Sequence, residues 1–249
     1  MLTEDDIQGH WQRRWLRAPG FEDSETRVRW MQCGAVYADV RIPAERPDIR
    51  GARCLADLSP AAVRALAQAE GFAGTTQVVD SVCTWTRAIN WHGMTESVDA
   101  GHLAHDDTGD LLETGVHAEY AEKWARVATG SDAAQVLEGA GMRAYLVHVS
   151  DAFVLGVGQP DAPSTAPLLD ALRVGKTDHT ALSALFQRLY VFGRWEGSFG
   201  RALLSTNPFL EGKVCLREAG AELVVQSVDF EGRPQEYVLR PMAFASQRA

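Results

Sequence analysis

Residues 35–42 read AVYADVRI, and every second side chain from Val36 onward is aliphatic. Successive side chains of an extended chain point to opposite faces. One face therefore carries the residues Val36, Ala38, Val40 and Ile42. The other face carries three side chains that can form hydrogen bonds or ion pairs: Tyr37, Asp39 and Arg41. This period of two predicts a β-strand that separates an apolar side from a polar side.

Similar strand patterns extend in both directions from this stretch. We assign strands to residues 10–16, 26–32, 77–91, 97–105, 110–117, 143–149, 152–157, 190–195, 201–205, 213–218, 223–228 and 235–240. A helix is predicted from Ser59, a capping residue followed by Pro60, to the stop at Gly71. Residues 180–189 fit a second helix and 132–138 a short helical turn, whereas 120–127 fit either a strand or a helix.

These patterns give about ten to twelve strands and two or three short helices. Strands and helices do not alternate along the chain, as they do in parallel α/β folds. The sequence therefore predicts a mainly β protein, in which antiparallel sheet closes into one or two barrels.

Composition excludes several classes of function. The chain has 249 residues and a net charge of −9, with 33 acidic against 24 basic side chains, which argues against binding to nucleic acid or to an anionic membrane. No apolar run reaches the roughly 18 residues of a membrane span, and the first residues lack the features of a signal peptide.

The four cysteines, Cys33, Cys54, Cys83 and Cys215, are far apart. We expect reduced thiols and a cytoplasmic protein.

The motif Gly-x-Trp occurs twice, at residues 9–11 and 193–195. In lipocalin-like barrels this motif marks a strand whose tryptophan plugs the closed end of the barrel. The glycine lets the chain bend, and the buried indole N–H still needs an acceptor. We expect Trp11 and Trp195 at barrel ends.

Further short motifs follow in order along the chain: EGFAG at 70–74, then Trp85, DAG at 99–101, ETG at 113–115, EKW at 122–124 and VFGRWEG at 191–197. This series resembles a small fungal family of lipocalin-like (calycin) proteins of similar length. The resemblance implies two consecutive barrels. It transfers no catalytic residues, and a fold by itself does not determine function.

On this basis we expect an N-terminal barrel over residues 1–130 and a C-terminal barrel over 140–249, although a single larger barrel is an alternative. The helix near residues 59–70 would be an insertion into the first barrel. Several glycines loosen the chain between residues 128 and 141, where the boundary would lie.

Metal binding is a weak alternative. His92, His102, His105 and His117 fall close together in sequence, beside several acidic residues. His102 and His105 are three positions apart and so face opposite sides of a strand, although His102 and His117 could meet across a hairpin. No HExxH or HxH pattern is present. We therefore interpret these side chains as polar residues at a solvated hairpin end and expect no metal.

Catalytic signatures are absent from the sequence. It contains no GxSxG motif, no cysteine with a local signature and no glycine-rich phosphate loop, so we expect no cofactor. Asp39, Asp99 and Glu113 lie beside apolar strand positions, where burial would raise their pKa values and suit them to acid–base chemistry. The simpler expectation is that each forms a salt bridge to Arg41, Arg87 or Arg194.

Arginine next to tryptophan is the remaining signal. An arginine inside an apolar barrel needs a partner or an anionic ligand. Trp85, Arg87, Ile89 and Trp91 are expected on one strand face. The predicted ligand-binding residues are Tyr37, Arg41, Trp85, Arg87, Trp91, Glu113 and Trp195. The alternative is that the tryptophans fill the barrel core and the arginines stack on them from outside.

Three functional hypotheses result. The first is a binding protein for a small, largely apolar ligand, such as a carboxylate, inside a barrel. The second is an enzyme, an isomerase, cyclase or lyase, that uses a carboxylate or histidine in the cavity. The third is a protein-interaction module with filled barrels, acting as a homodimer or with a protein partner.

Overall fold

The computed structural model describes residues 1–130 and 132–242, which form two closed, eight-stranded antiparallel barrels. The first barrel contains the strands β1 (Gly9–Ala18), β2 (Phe21–Asp23), β3 (Arg27–Cys33), β4 (Val36–Ile42), β5 (Glu70–Val79), β6 (Val82–Asn90), β7 (Asp99–His105), β8 (Leu111–Gly115) and β9 (Ala121–Ala128). Strand β1 pairs with β3 on one side and with β9 on the other, which closes the barrel, and β2 is a short addition paired with the end of β1.

The second barrel contains the strands β10 (Ala133–Gly139), β11 (Met142–Val149), β12 (Ala152–Gly158), β13 (Leu189–Glu196), β14 (Phe199–Ser205), β15 (Val214–Ala219), β16 (Glu222–Val228) and β17 (Pro234–Pro241). It closes through the pairing of β10 with β17. The described chain also has the helices α1 (Pro60–Ala67), α2 (Ala166–Arg173) and α3 (His179–Phe186), and short 3-10 helices at Glu4–Ile7, Leu55–Asp57 and Pro208–Leu210. None of these helices is long and apolar enough to cross a membrane.

Strand β4 confirms the period-two prediction and shows why both of its faces are specified. On its aliphatic face, Ala38, Val40 and Ile42 are fully buried in an apolar cluster shared with β11, β12 and β13 of the second barrel. Its polar face points into the first barrel. The outer surface of β4 is therefore an internal surface of the molecule, since the second barrel covers it.

The EGFAG motif forms the start of β5 and shapes the contact between the barrels. A Cβ atom on Gly71 would lie 2.3 Å from the ring of Tyr190, which belongs to the second barrel. A Cβ atom on Gly74 would lie 1.9 Å from the carbonyl oxygen of Thr86. Both glycines are required because neighbouring groups occupy the space of a side chain, not because of their backbone dihedral angles.

The prediction of a single strand at 77–91 is wrong, because the chain reverses at Asp80 and Ser81, which have φ angles of 51° and 64°. Two successive residues in the left-handed region give a tight hairpin turn that glycine and asparagine usually signal. The predicted end of the first helix also needs correction, because α1 ends at Ala67 instead of Gly71 and β5 begins at Glu70.

Two other sequence-based assignments need correction. Residues 132–138 are not a helical turn, because Ala133–Gly139 pairs with β11 over its whole length. Helix α2, at Ala166–Arg173, was not among the predicted elements, and its Pro167 lies in the first turn, where the missing N–H of proline costs no helical hydrogen bond. The expected number of strands was also too low, since the described chain forms seventeen.

The interior of the second barrel is filled by its own side chains. Sixteen buried residues, mostly leucine and valine, form one continuous apolar cluster there. Trp195 of the second Gly-x-Trp motif packs against that cluster, 5.3 Å from the ring of Phe153, close to the end of β13. This barrel thus matches the filled-barrel alternative.

Candidate functional site

The interior of the first barrel contains a cavity of about 200 Å³. Its lining combines six aromatic side chains with six ionisable acid and guanidinium groups and one leucine: Leu16, Trp30, Tyr37, Asp39, Arg41, Phe72, Trp85, Arg87, Asp99, Glu113, Tyr120, Glu122 and Trp124. Trp30 forms the centre of the aromatic wall, since its ring centroid lies 5.9 Å from that of Trp85 and 5.5 Å from that of Trp124, both in edge-to-face geometry.

One end of the barrel is covered by the first Gly-x-Trp motif. Trp11 is fully buried and stacks on Trp30, and its Nε1 donates to the carbonyl oxygen of Ile7 at 2.8 Å. Ile7 ends the 3-10 helix that precedes β1, and the guanidinium of Arg126 lies 4.3 Å from the centroid of the Trp11 ring. Trp11 thus occupies a barrel end, as predicted. The cavity opens further along β1, where Leu16 lines it and is partly exposed.

A chain of ion pairs crosses the cavity wall. Arg41 donates to Asp39 at 3.1 Å and to Glu122 at 3.3 Å, and Arg13 binds Glu122 at 2.7 Å and also Asp23. Burial raises the pKa of Asp39 to about 6, although the neighbouring Arg41 opposes this shift. The guanidinium of Arg41 is therefore already engaged by two carboxyl groups.

Arg87 is the second guanidinium of the cavity and is also paired. Its Nη2 donates to Asp99 at 2.6 Å, and its guanidinium carbon lies 3.9 Å from the centroid of the Phe72 ring. Its Nε is buried and has no hydrogen-bond partner among the described residues. For Asp39 and Asp99 the structure thus shows the expected salt bridges to Arg41 and Arg87.

Glu113 differs from the other acids, because no basic side chain of the described residues forms an ion pair with it. Its Oε1 accepts a hydrogen bond from Tyr120 Oη at 2.7 Å, and its Oε2 accepts one from Trp124 Nε1 at 3.0 Å. Burial, and then the charge of Glu122, raise the pKa of Glu113 to about 8. A carboxyl group that is neutral near pH 7 and faces a cavity can donate or accept a proton there.

Besides Arg87 Nε, two further polar groups in the cavity wall have no partner within the described chain. Tyr37 Oη and Trp30 Nε1 are buried, in residues that are 0% and 2% exposed respectively, and neither forms a hydrogen bond. An unsatisfied buried polar group costs about 1–3 kcal/mol. Both residues contribute to the lining of the cavity.

Five of the seven predicted ligand-binding residues line this cavity together: Tyr37, Arg41, Trp85, Arg87 and Glu113. Trp91 lies on the other side of the barrel wall, where its ring packs against Phe186 and Tyr190. Trp195 belongs to the second barrel. The structure therefore does not bring these two tryptophans to the cavity.

The expectation that Trp85 and Trp91 share a strand face is wrong because β6 contains a β-bulge. Ala73 pairs with Ile89 and Gly74 with Arg87, so one residue of β6 is extra at this point. An extra residue exchanges the two faces of all that follows. Trp85 and Arg87 consequently face the cavity, whereas Ile89 and Trp91 belong to the apolar cluster between the barrels.

Sequence reasoning missed several lining residues that a period-two pattern could have identified. Trp30 lies in β3, where successive side chains alternate between the two faces of the strand. In and just before β9, every second residue lines the cavity: Tyr120, Glu122 and Trp124. The pattern at residues 120–127 was ambiguous between strand and helix. Phe72 was hidden because the helix was expected to reach Gly71.

The histidines near the hairpin do not converge. His102, His105 and His117 are exposed, and His102 pairs with Thr114 across the β7–β8 hairpin. Within residues 1–130 and 132–242, no group of three or more histidine, cysteine or acidic side chains is arranged to hold a metal ion. All four cysteines are free, and Cys54, Cys83 and Cys215 are buried.

Comparison with known proteins gives a structural likeness only. No model of a protein family matches the sequence, and no curated protein matches it either. The fold is similar to the crystal structure of the uncharacterized protein YLR301w from Saccharomyces cerevisiae, with a TM-score of 0.53 and 11% identity over 95% of this chain and 100% of that chain. At this identity the likeness shows a shared two-barrel fold and carries no information about function.

Proposed function

We propose that the first barrel binds a small organic molecule, about the size of one substituted ring, in its cavity. The observation that supports this most strongly is the pair of buried, unpartnered groups at the cavity, Tyr37 Oη and Trp30 Nε1. A ligand with a hydrogen-bond acceptor would satisfy the Trp30 donor, and its ring would pack against the aromatic wall.

The volume limits the ligand. A dry cavity of about 150 Å³ accepts benzene, and ordinary ligand pockets measure roughly 300–1,000 Å³. The present cavity of about 200 Å³ therefore fits a single ring with one or two substituents. The wall is also more polar than expected from the sequence, since six ionisable acid and guanidinium groups line it.

Indole N–H signals offer a direct test, because Trp30 and Trp195 both have an unpartnered Nε1, one in each barrel. We expect benzyl alcohol to move the Trp30 indole resonance in a ¹H–¹⁵N spectrum, with saturation, and to leave the Trp195 resonance unchanged. No shift at Trp30 up to the solubility limit of the probe, or equal shifts in both barrels, would contradict the proposal.

A matched pair of tyrosines separates binding from stability. Tyr37 and Tyr190 are both fully buried with unpartnered hydroxyls, but only Tyr37 lines the cavity. Replacing either by phenylalanine should stabilise the unliganded protein by about 1 kcal/mol, because an unsatisfied group is removed. Only Tyr37→Phe should weaken the binding of benzyl alcohol. Equal binding by both variants would show that Tyr37 does not contact the ligand.

Proton-transfer catalysis is a second candidate, which the environment of Glu113 favours. In its ionised form the buried Glu113 carboxylate, which lacks a basic partner and is held by Tyr120 and Trp124, is suited to remove a proton from a bound carbonyl compound. 2-Indanone is a suitable probe because its α-protons exchange with deuterium in a way that NMR detects. Exchange that the protein accelerates and that Glu113→Gln abolishes would support catalysis, whereas exchange at the rate of buffer alone would reject it.

A further inference from the structure

We propose that the molecule bound in the first barrel is a cation, a small protonated amine on a single-ring framework, with Glu113 as its counter-ion. This inference rests on the proposed binding function and adds the chemical class of the ligand. It differs from the sequence-based expectation of a carboxylate ligand held by Arg41 or Arg87.

The charges around the cavity favour a cation. Four carboxyl groups and two guanidinium groups line it. Both guanidinium groups are already paired, Arg41 with two acids and Arg87 with Asp99. A ligand carboxylate would compete with these acids and would add negative charge to an acid-rich wall. An ammonium group would instead neutralise Glu113, the acid that lacks a basic partner.

The geometry of Glu113 leaves positions for such a group. An ionised carboxylate has about four acceptor sites. Tyr120 and Trp124 occupy two of them, one on each oxygen. An ammonium group carries three donors, of which one or two can reach the remaining sites of Glu113. Tyr37, another lining residue, also has a hydroxyl group without a partner in the described chain.

The aromatic lining supports the same ligand. Cations are attracted to the faces of aromatic rings, and most strongly to tryptophan. Trp30, Trp85 and Trp124 all line the cavity, and Trp30 makes an edge-to-face contact with each of the other two, so the plane of its ring differs in direction from theirs. Phe72 already has two guanidinium groups near its ring, at 3.9 Å and 4.8 Å. The cavity therefore combines a carboxylate with aromatic surfaces, which is the usual chemistry of amine recognition.

Proton release provides a signature of this pairing. Burial keeps the pKa of Glu113 well above its ordinary value, so the free protein carries a proton on Glu113 near pH 7. An ammonium group beside Glu113 favours the ionised form, and binding therefore releases this proton. Affinity for the amine should consequently rise by up to about tenfold per pH unit until Glu113 is ionised in the free protein.

Three probes of nearly equal size test the inference by titration calorimetry at pH 7 and pH 8.5: benzylamine, benzyl alcohol and benzoate. We expect benzylamine to bind the wild-type protein at least ten times more tightly than benzyl alcohol, and benzoate to bind most weakly. Glu113→Gln should abolish the preference for benzylamine but should still bind benzyl alcohol. The exposed Glu119 is the matched control, and Glu119→Gln should retain the preference, since that change removes a charge outside the cavity.

The outcomes separate the two proposals. Binding of benzyl alcohol with no preference for benzylamine overturns the amine inference and leaves the binding function intact. If benzoate binds most tightly, the amine inference is also overturned, and an arginine is the anchor of the ligand. Failure of all three probes contradicts the binding function itself. If Glu113→Gln does not fold, the test is made on the wild-type protein alone. Calorimetry in two buffers of different ionisation enthalpy measures the number of protons released when benzylamine binds. Binding without proton release refutes the role of Glu113.

Discussion

Replacing Glu113 by glutamine should change how the stability of the protein depends on pH. The variant keeps the shape of the side chain, since the amide oxygen can accept from Trp124 Nε1 and the amide NH₂ can donate to Tyr120 Oη. What it removes is the ability to ionise. The perturbation therefore isolates the cost of placing a charge at this position.

The magnitude follows from the pKa of Glu113, which burial raises from 4.5 to about 8. Between these values the folded protein holds a proton that the unfolded chain has lost, so the stability of the wild-type protein falls as pH rises through this window. At 1.36 kcal/mol per pKa unit, the full loss is at most about 5 kcal/mol above pH 8. The glutamine variant has no such loss.

The assay is urea unfolding of both proteins at pH 5, 7 and 9, followed by tryptophan fluorescence. Groups such as Asp39, whose pKa is raised to about 6, titrate in both proteins and cancel in the comparison. We expect the unfolding free energy of Glu113→Gln, relative to wild type, to increase by several kcal/mol from pH 5 to pH 9. Glu119→Gln should show no such trend. Parallel pH profiles for wild type and Glu113→Gln would refute the assignment of Glu113 as a carboxyl group kept neutral by burial.

Three other predictions concern the framework around the cavity. Gly71→Ala should lower the unfolding free energy by about 1–3 kcal/mol in urea titrations, because the new methyl group meets the ring of Tyr190; an unchanged midpoint would show that the ring can move. Arg126→Met should cost at least about 1 kcal/mol in the same assay, because it removes both the cation–π contact with Trp11 and the hydrogen bond to the carbonyl oxygen of Asp6, and an unchanged unfolding free energy would show that neither contact stabilises the protein. Cys83 should react with a thiol reagent only on unfolding, since burial raises its thiol pKa, and rapid reaction in the native protein would contradict its place in the barrel.

The sequence predicted the parts of the fold in which local pattern and tertiary surroundings agree. Strand β4 alternates because the second barrel covers one of its faces and the cavity lies on the other. Tyr37, Asp39 and Arg41 were therefore found together. The hairpins β7–β8 and β11–β12 were found for the same reason, since polar turns separate their apolar strands.

The remainder depends on contacts that no local pattern records. The bulge in β6 places Trp91 between the barrels, and beside it Gly74 lies so close to Thr86 that a side chain would not fit. The turn at Asp80 and Ser81 lacks the usual glycine. The ring of Trp30 was taken as core packing, because only the closed barrel shows that it lines a cavity and has no partner for its N–H.

The central claim is that the first barrel, and not the second, holds a small ring-shaped molecule. Crystals of the protein soaked with 4-bromophenol test this directly, because bromine gives an anomalous signal that locates the ring without interpretation of weak density. We predict one strong peak inside the first barrel, surrounded by Trp30, Trp85 and Phe72, and its loss when benzylamine is added in excess. A peak only on the surface or in the second barrel, or none at all at saturating probe, would contradict the account.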